Sequence, residues 1–352
     1  MRCRYTVPLG EIMNVATKNK DHRGVIVPMV TPVTADGVLD EPAVGRIVDF
    51  LCAGGVHGVF VLGTTGEALA IPAAMRDRLV QLTVERVHGR ALVYAGISAD
   101  SLPESVKAGN QYLQMGVDAV VAHVPGNFEK RPEQAWSFFA DLATQLQGDF
   151  ILYNMPLTTK VSLPIELCKE TARRPRVIGI KDSENDAARM VELLKELGDK
   201  KDFSVFIGTG PLMAQGLLLG AEGIVPSVGN IAPALCRELY DNAVRGDVAG
   251  TEALHRKLME VSSLYQNGRK LGHSLAALKC AMAWLGLCGP SMLLPLKAVD
   301  EAERLALRVK LIELGFPVRD FHADEDKTPD WAHDGRPGGS RAGTLRASPL
   351  KP

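Results

Sequence analysis

The sequence lacks the charge surplus that nucleic-acid-binding proteins need. Its 352 residues carry 40 basic and 41 acidic side chains, which gives a formal net charge of −1 at pH 7. Without a basic excess there is no electrostatic basis for holding a phosphate backbone. We therefore expect no nucleic-acid partner and take a small molecule as the expected ligand.

Signals for export, membrane insertion and metal binding are also missing. The first twenty residues contain no apolar segment long enough for a signal peptide, and nowhere do about 18 apolar residues run uninterrupted. The six cysteines form no CxxC pair, and the eight histidines are scattered. The sequence thus predicts a cytoplasmic protein with reduced cysteines, no membrane partner and no metal site.

What the chain does contain is an alternation of short apolar runs and longer amphipathic stretches. Apolar runs without polar alternation are typical of strands buried on both faces of a parallel sheet. Eight such strands are predicted, at 25–30, 56–62, 92–95, 119–124, 150–153, 177–180, 203–207 and 223–225.

An internal repeat supports a barrel. Three segments, GGVHGVFVLG, MGVDAVVAHV and LGAEGIVPSV, each combine a helix-ending glycine, a short polar turn and an apolar strand. Their spacing fits two and four strand–helix units of roughly 26 to 30 residues. The count of eight strands favours a (β/α)8 TIM barrel over an open sheet. Four further helices are predicted, at 232–246, 248–267, 274–287 and 300–314.

These elements suggest four parts along the chain. We predict an N-terminal extension at 1–21, the barrel at 22–246 and a C-terminal helical appendage at 247–317. The last segment, 318–352, is rich in charged, glycine, proline and serine residues. Such a composition buries little apolar surface, so this tail is predicted to be disordered.

Three strand ends carry residues suited to chemistry, and in a TIM barrel the active site lies at the carboxyl ends of the strands. The sequence GTTGE at 63–67 follows the second strand, Tyr153 ends the fifth and Lys181 follows the sixth. Glycines let the backbone approach a carboxylate closely. A desolvated lysine can form an imine with a carbonyl compound, and a phenol beside it can carry protons.

Each feature alone also fits a structural role: a tight turn, a solvated lysine and an aromatic residue at the rim. In combination they specify a site for a 2-oxo acid, in which the carboxylate lies against Thr64 and Thr65 and the ketone condenses with Lys181. The protonated imine then withdraws electrons, as aldol cleavage, aldol addition and β-elimination require. The lysine supplies this function itself, so no cofactor is expected.

With these motifs the sequence resembles the dihydrodipicolinate synthase / N-acetylneuraminate lyase family over roughly 24–316. The resemblance rests on GVFVLGTTGEA at 58–68, YNMPLTT at 153–159 and GIKDS at 179–183. It implies that Lys181 is the Schiff-base lysine and that Tyr153 donates and accepts protons. It further implies a carboxylate-binding Thr65, a proton-relaying Thr64, a Val225 carbonyl at the site, and a homotetramer or homodimer.

The chain also departs from the family pattern. Thr158 stands where dihydrodipicolinate synthases usually have an arginine, and His123 lies in the loop that supplies their second tyrosine. The sequence Gly208-Thr209-Gly210-Pro211 lacks the acids of sialic acid lyases. We expect Thr158, Thr159 and His123 to line the specificity side, where His123 is either a proton carrier or a structural loop residue.

The resulting interpretation is a Schiff-base lyase, an aldolase or dehydratase. It would act on pyruvate or a short 2-oxo acid, such as a 4-hydroxy-2-oxo or 2-oxo-3-deoxy acid. The alternative is 4-hydroxy-tetrahydrodipicolinate synthase, which joins pyruvate to aspartate semialdehyde in lysine biosynthesis; N-acetylneuraminate lyase fits less well. Two other classes stay open: a metal-dependent aldolase and a non-catalytic barrel that only binds 2-oxo acids.

Overall fold

Eight parallel strands close into a barrel in which each strand pairs with its neighbours in the chain and β8 pairs with β1. A computed structural model describes residues 21–126 and 132–319. The strands are β1 Gly24–Pro28, β2 Gly58–Val61, β3 Leu92–Gly96, β4 Ala119–Ala122, β5 Phe150–Asn154, β6 Val177–Asp182, β7 Ser204–Ile207 and β8 Gly223–Ile224. The prediction of eight strands in a TIM barrel is confirmed.

Helices alternate with these strands. In chain order they are α1 Glu41–Ala53, α2 Ala73–Val87, α3 Leu102–Gln114, α4 Pro132–Gln145, α5 Pro156–Thr159, α6 Ile165–Thr171, α7 Ala187–Leu197, α8 Met213–Leu218, α9 Pro233–Val244, α10 Val248–Gln266, α11 Leu271–Trp284 and α12 Glu301–Glu313. The last four match the four helices predicted after the eighth strand. Nearly all of the proposed N-terminal extension and tail lie outside the described residues, and the proposed domain limits stay predictions.

The turns from helix to strand follow the repeat found in the sequence. Gly55, Gly116 and Gly220 have φ angles of +73°, +98° and +100°. Residues with a side chain are strained in this left-handed region, whereas glycine is not. The three glycines therefore let the chain leave one helix and enter the next strand within a few residues.

Two apolar clusters hold the barrel together. The larger one lies between the strands and the surrounding helices and contains residues such as Val27, Leu51 and Leu152. The smaller one fills the barrel interior and includes Phe60, Tyr153 and Phe206. Because the interior is packed with side chains, ligands have access only at its ends.

Each of the eight strands departs from its predicted limits by one or two residues at one end or both, and two of these differences bear on the candidate active site. Strand β6 continues through Lys181 and Asp182, which pair with Tyr153 and Asn154 of β5, so Lys181 lies within the strand and not after it. The prediction was wrong because it ended strands at the last apolar residue, whereas polar residues at the site retain the sheet pairing. Strand β4 ends before His123, whose N–H bonds to the Ser98 hydroxyl instead of the sheet.

No helix among the described residues is both long and apolar enough to cross a membrane. All the cysteines in the described part of the chain are free, and four of the five are buried: Cys168, Cys236, Cys280 and Cys288. The predicted core position thus holds for these four, whereas Cys52 is half-buried, and the reduced state of the cysteines stays a prediction.

Candidate active site

Lys181 and Tyr153 meet at the carboxyl ends of two adjacent strands. The Lys181 ammonium nitrogen lies 4.0 Å from the centroid of the Tyr153 ring and 5.0 Å from that of Phe60. Only 6% of Lys181 is exposed, and no carboxylate in the described ranges lies within ion-pair distance of it. The amine is therefore held against the faces of Tyr153 and Phe60.

The phenol of Tyr153 is tuned for proton transfer. Its oxygen lies 3.3 Å from the Thr64 hydroxyl, which comes from the loop after β2. Burial raises the pKa of Tyr153, but the positive charge of Lys181 and hydrogen bonds with Thr64, Lys181 and Ser183 outweigh burial and lower the pKa below 10. A phenol with a lowered pKa gives up its proton more readily and can take one back during turnover.

His123 lies on the other side of Tyr153. The two rings are in edge-to-face contact with centroids 5.8 Å apart. The His123 Nδ1 lies 2.7 Å from the Val124 carbonyl, so this nitrogen carries the hydrogen and Nε2 is left as the acceptor of the neutral ring. Burial lowers the pKa of His123 below 6.5, the Val124 bond opposes this shift, and the Lys181 charge lowers the pKa further.

Two adjoining cavities lie at this end of the barrel. The lysine cavity, lined by Lys181, has a volume of about 330 Å³. The histidine cavity, lined by His123, has a volume of about 440 Å³. Thr64 and Tyr153 line both, so a ligand attached to Lys181 can extend past Tyr153 from one cavity into the other. Within 21–126 and 132–319, no group of three or more His, Cys, Asp or Glu side chains is placed to hold a metal ion.

A comparison with known protein families agrees with this arrangement of Lys181, Tyr153 and Thr64. Residues 21–314 match the Dihydrodipicolinate synthetase family. The chain belongs to this family. Membership confirms the expectation of a lyase of the class that works through a lysine imine.

Among curated relatives, a 4-hydroxy-tetrahydrodipicolinate synthase of Pseudomonas putida (strain W619) is 30% identical over 296 residues, which cover 84% of this chain and 99% of the relative. Among solved structures, a dihydrodipicolinate synthase of Bacteroides thetaiotaomicron has 34% identity and a TM-score of 0.79, covering 83% of this chain and 98% of the other. YagE from E. coli K12, a family member solved in complex with pyruvate, has 28% identity and the same TM-score, covering 84% and 99%.

The other residues singled out in the family motifs lie at different distances from the reactive groups. Thr65 lines the lysine cavity and Thr158 lines the histidine cavity. Val225 is packed in the barrel interior with Tyr153. Thr159 is buried, and its hydroxyl is within hydrogen-bonding distance of the backbone carbonyls of Met155 and Val161, so it stabilises α5 and is absent from the lining of both cavities.

The sequence did not reveal a buried ion pair that holds the GTTGE loop of this family member. The Lys279 ammonium donates to the Glu67 carboxylate at 2.7 Å and to the Ser291 carbonyl at 2.7 Å. The second Glu67 oxygen accepts from the Leu293 N–H. Lys279 is a lone cation in a helix whose residues are buried from Ser274 to Trp284. Lysines are almost never fully buried unless they are paired, so the position of Lys279 in this buried helix was the available signal for a partner.

A second network lies directly behind Lys181. Arg189 of α7 donates to Asp182 at 2.9 Å and lies 3.3 Å from Glu184. The Asn154 amide donates to both carboxylates at 3.0 Å. These contacts tie the end of β6 to the end of β5, and they fix the backbone on which Lys181 and Tyr153 face each other.

Proposed function

We propose that the protein is a class I lyase in which Lys181 forms an imine with pyruvate or another short 2-oxo acid. The observation that carries the proposal is the buried Lys181 amine against Tyr153, whose phenol oxygen lies within hydrogen-bonding distance of Thr64. A desolvated amine next to a proton-transferring phenol is what imine formation requires.

The reaction begins when the lone pair of the neutral Lys181 nitrogen attacks the C2 carbonyl carbon. Tyr153 delivers a proton to the carbonyl oxygen and relays a second from the nitrogen, and the oxygen leaves as water. Loss of a proton from C3 of the imine gives an enamine, whose electron pair attacks an aldehyde carbon. Water then hydrolyses the product imine and releases Lys181. Cleavage follows the same steps in reverse.

Thr64 and Thr65 are assigned to the 2-oxo acid end of the substrate. Both precede Gly66, whose carbonyl accepts a hydrogen bond from Thr31 at 2.7 Å, so the loop is held in place. Thr65 lines the lysine cavity and is proposed to bind the carboxylate, while Thr64 relays protons to Tyr153. The Val225 carbonyl is proposed to face the bound pyruvyl unit.

A 4-hydroxy-tetrahydrodipicolinate synthase is the second candidate, because the relatives in Pseudomonas and Nitrosomonas carry that name. Thr158 is the residue that weighs against it, since those synthases usually have an arginine there. We therefore prefer an aldolase or dehydratase acting on a 4-hydroxy-2-oxo or 2-oxo-3-deoxy acid. N-acetylneuraminate lyase activity and a barrel that only binds 2-oxo acids rank below both.

Borohydride trapping tests the imine. We expect pyruvate plus borohydride to add one pyruvyl unit, mapped to Lys181 by peptide mass spectrometry, and no adduct in Lys181→Ala. Lys160→Arg is the matched control, because Lys160 is an exposed lysine that donates to the Leu157 carbonyl. An adduct elsewhere, or none at all where a known family member is trapped, would refute the proposal.

Substrate class and assembly need separate measurements. A panel of aldehydes and 2-oxo-3-deoxy acids, including aspartate semialdehyde, distinguishes the preferred activity from the second candidate. Assembly into a dimer or tetramer stays a prediction from family membership, and sedimentation velocity of the full chain measures it. A cytoplasmic location likewise stays a prediction.

A further inference from the structure

Arg76 presents an uncompensated positive charge to the histidine cavity. It lies in the first turn of α2 and lines that cavity together with Ser98 and His123. Its Nε donates to the Ile71 carbonyl at 2.8 Å, which fixes the guanidinium by one edge. Within the described ranges no carboxylate lies within ion-pair distance of Arg76.

The second arginine of the cleft behaves differently. Arg269 lines the lysine cavity, but its Nε donates to the Glu303 carboxylate at 2.6 Å and its Nη1 donates to the Leu264 carbonyl. Its charge is thus balanced inside the protein. Of these two arginines, Arg76 is the one whose charge is available to a ligand.

Among the residues that the structure describes, the rest of the histidine cavity supplies no compensating negative charge. Glu67 lines it, but both carboxylate oxygens are bound, one by Lys279 and the other by the Leu293 N–H. Much of the remaining wall is apolar. A guanidinium in a mostly apolar wall is screened less by water than one on an open surface, so it attracts an anion more strongly.

We propose that Arg76 binds a carboxylate at the far end of the second substrate, and that it therefore selects aldehydes or 2-oxo acids that carry a second anionic group. This inference rests on the proposed imine function. Because Nε is used by Ile71, Nη1 and Nη2 remain to donate to the two oxygens of one carboxylate. Ser98 accepts a hydrogen bond from the His123 N–H, so its own hydroxyl hydrogen can also reach the substrate.

A matched pair of substrates tests the assignment. 4-Hydroxy-2-oxoglutarate carries a carboxylate on C4, whereas 4-hydroxy-2-oxopentanoate carries a methyl group there. Both compounds release pyruvate on cleavage. Wild type is expected to favour the dianion by roughly ten- to a hundredfold in kcat/KM, the range of a hydrogen bond to a charged group. Succinic semialdehyde, butanal and a phosphorylated aldehyde extend the comparison to the addition reaction and to phosphate.

Three variants separate charge recognition from structural damage. Arg76→Gln should remove the preference for the dianion, chiefly through KM, while kcat/KM for the neutral substrate and pyruvate trapping at Lys181 stay at the wild-type level. Arg76→Lys should restore part of the preference. Arg78→Gln is the control, because Arg78 lies on the same helix and pairs with Glu41 at the surface.

Two results of the cleavage comparison would overturn the inference. One is a wild-type enzyme that cleaves the neutral substrate as well as the dianion, and the other is an unchanged ratio in Arg76→Gln. If wild type forms no pyruvate adduct, the proposed function fails first. Calorimetric binding of glutarate to wild type and Arg76→Gln then tests the anion site by itself, and equal affinities would reject it. A preference for the phosphorylated aldehyde would replace carboxylate by phosphate as the ligand and so overturn the stated class.

Discussion

Replacing Lys279 by methionine should destabilise the protein severely, because the ion pair with Glu67 is almost completely shielded from water. The exposed fractions of the two residues are 1% and 4%. Methionine fills a similar volume but leaves the Glu67 carboxylate with the Leu293 N–H as its remaining partner, and it removes the donor to the Ser291 carbonyl.

The magnitude follows from the uncompensated charge. Breaking a buried ion pair by removing one partner costs about 3–5 kcal/mol. In a chain of this length each kcal/mol lowers the melting temperature by about 2 °C. The melting temperature of Lys279→Met should therefore fall by about 6–10 °C. Activity should fall as well, because Glu67 lies in the loop that carries Thr64.

Thermal and urea unfolding of three variants provide the test. The double variant Glu67→Gln/Lys279→Met buries no charge, so it should recover more than half of the lost stability. Lys169→Met, which breaks surface pairs with Glu166 and Glu196, should leave the melting temperature close to that of wild type. A loss below about 1 kcal/mol in Lys279→Met, or a double variant that is less stable than Lys279→Met, would contradict the reasoning.

Three further predictions concern the site itself. Arg189→Leu leaves Asp182 and Glu184 without their cation, and the urea midpoint should report a loss of about 3–5 kcal/mol. Tyr153→Phe removes the proton carrier, so steady-state turnover should fall by about 10²–10⁴-fold while the fold is kept. The third concerns His123, whose folded-state pKa lies below 6.5. Its contribution to stability is complete above pH 6.5 and is lost as the pH falls through the folded pKa. Wild type should thus lose more stability than His123→Asn between pH 6.5 and 5. If the urea midpoints of the two proteins fall by the same amount across this range, the reasoning is wrong.

The barrel and the reactive lysine were predictable because both leave local signals. Apolar runs mark the strands, and Lys181 follows such a run directly, where a charged side chain is conspicuous. The limits of β5 and β6 were not predictable, since their last residues are polar and are kept in the sheet by the strand beside them. Sequence patterns report a residue's own neighbourhood, whereas sheet pairing joins distant segments.

The sequence analysis did not predict which residues pair with the buried charges. Lys279 is 212 residues from Glu67 in the sequence, and the chain holds 41 acidic residues from which no local rule selects one. A lone lysine in an apolar helix does indicate that a partner exists. It cannot indicate that this partner lies in the loop that also carries Thr64.

The distribution of paired and unpaired charges separates the scaffold from the ligand-binding groups. Glu67 with Lys279, and Asp182 with Arg189, are charges satisfied inside the protein, and each pair fixes a segment next to the reactive residues. In contrast, neither Lys181 nor Arg76 has an acidic partner among the described residues, and they line adjoining cavities. Lys181 is buried, where an uncompensated cation is costly, and Arg76 is half-buried in a mostly apolar wall, where water screens its charge only in part. The two cations are therefore best matched by a substrate with an electrophilic carbonyl carbon for Lys181 at one end and an anion for Arg76 at the other.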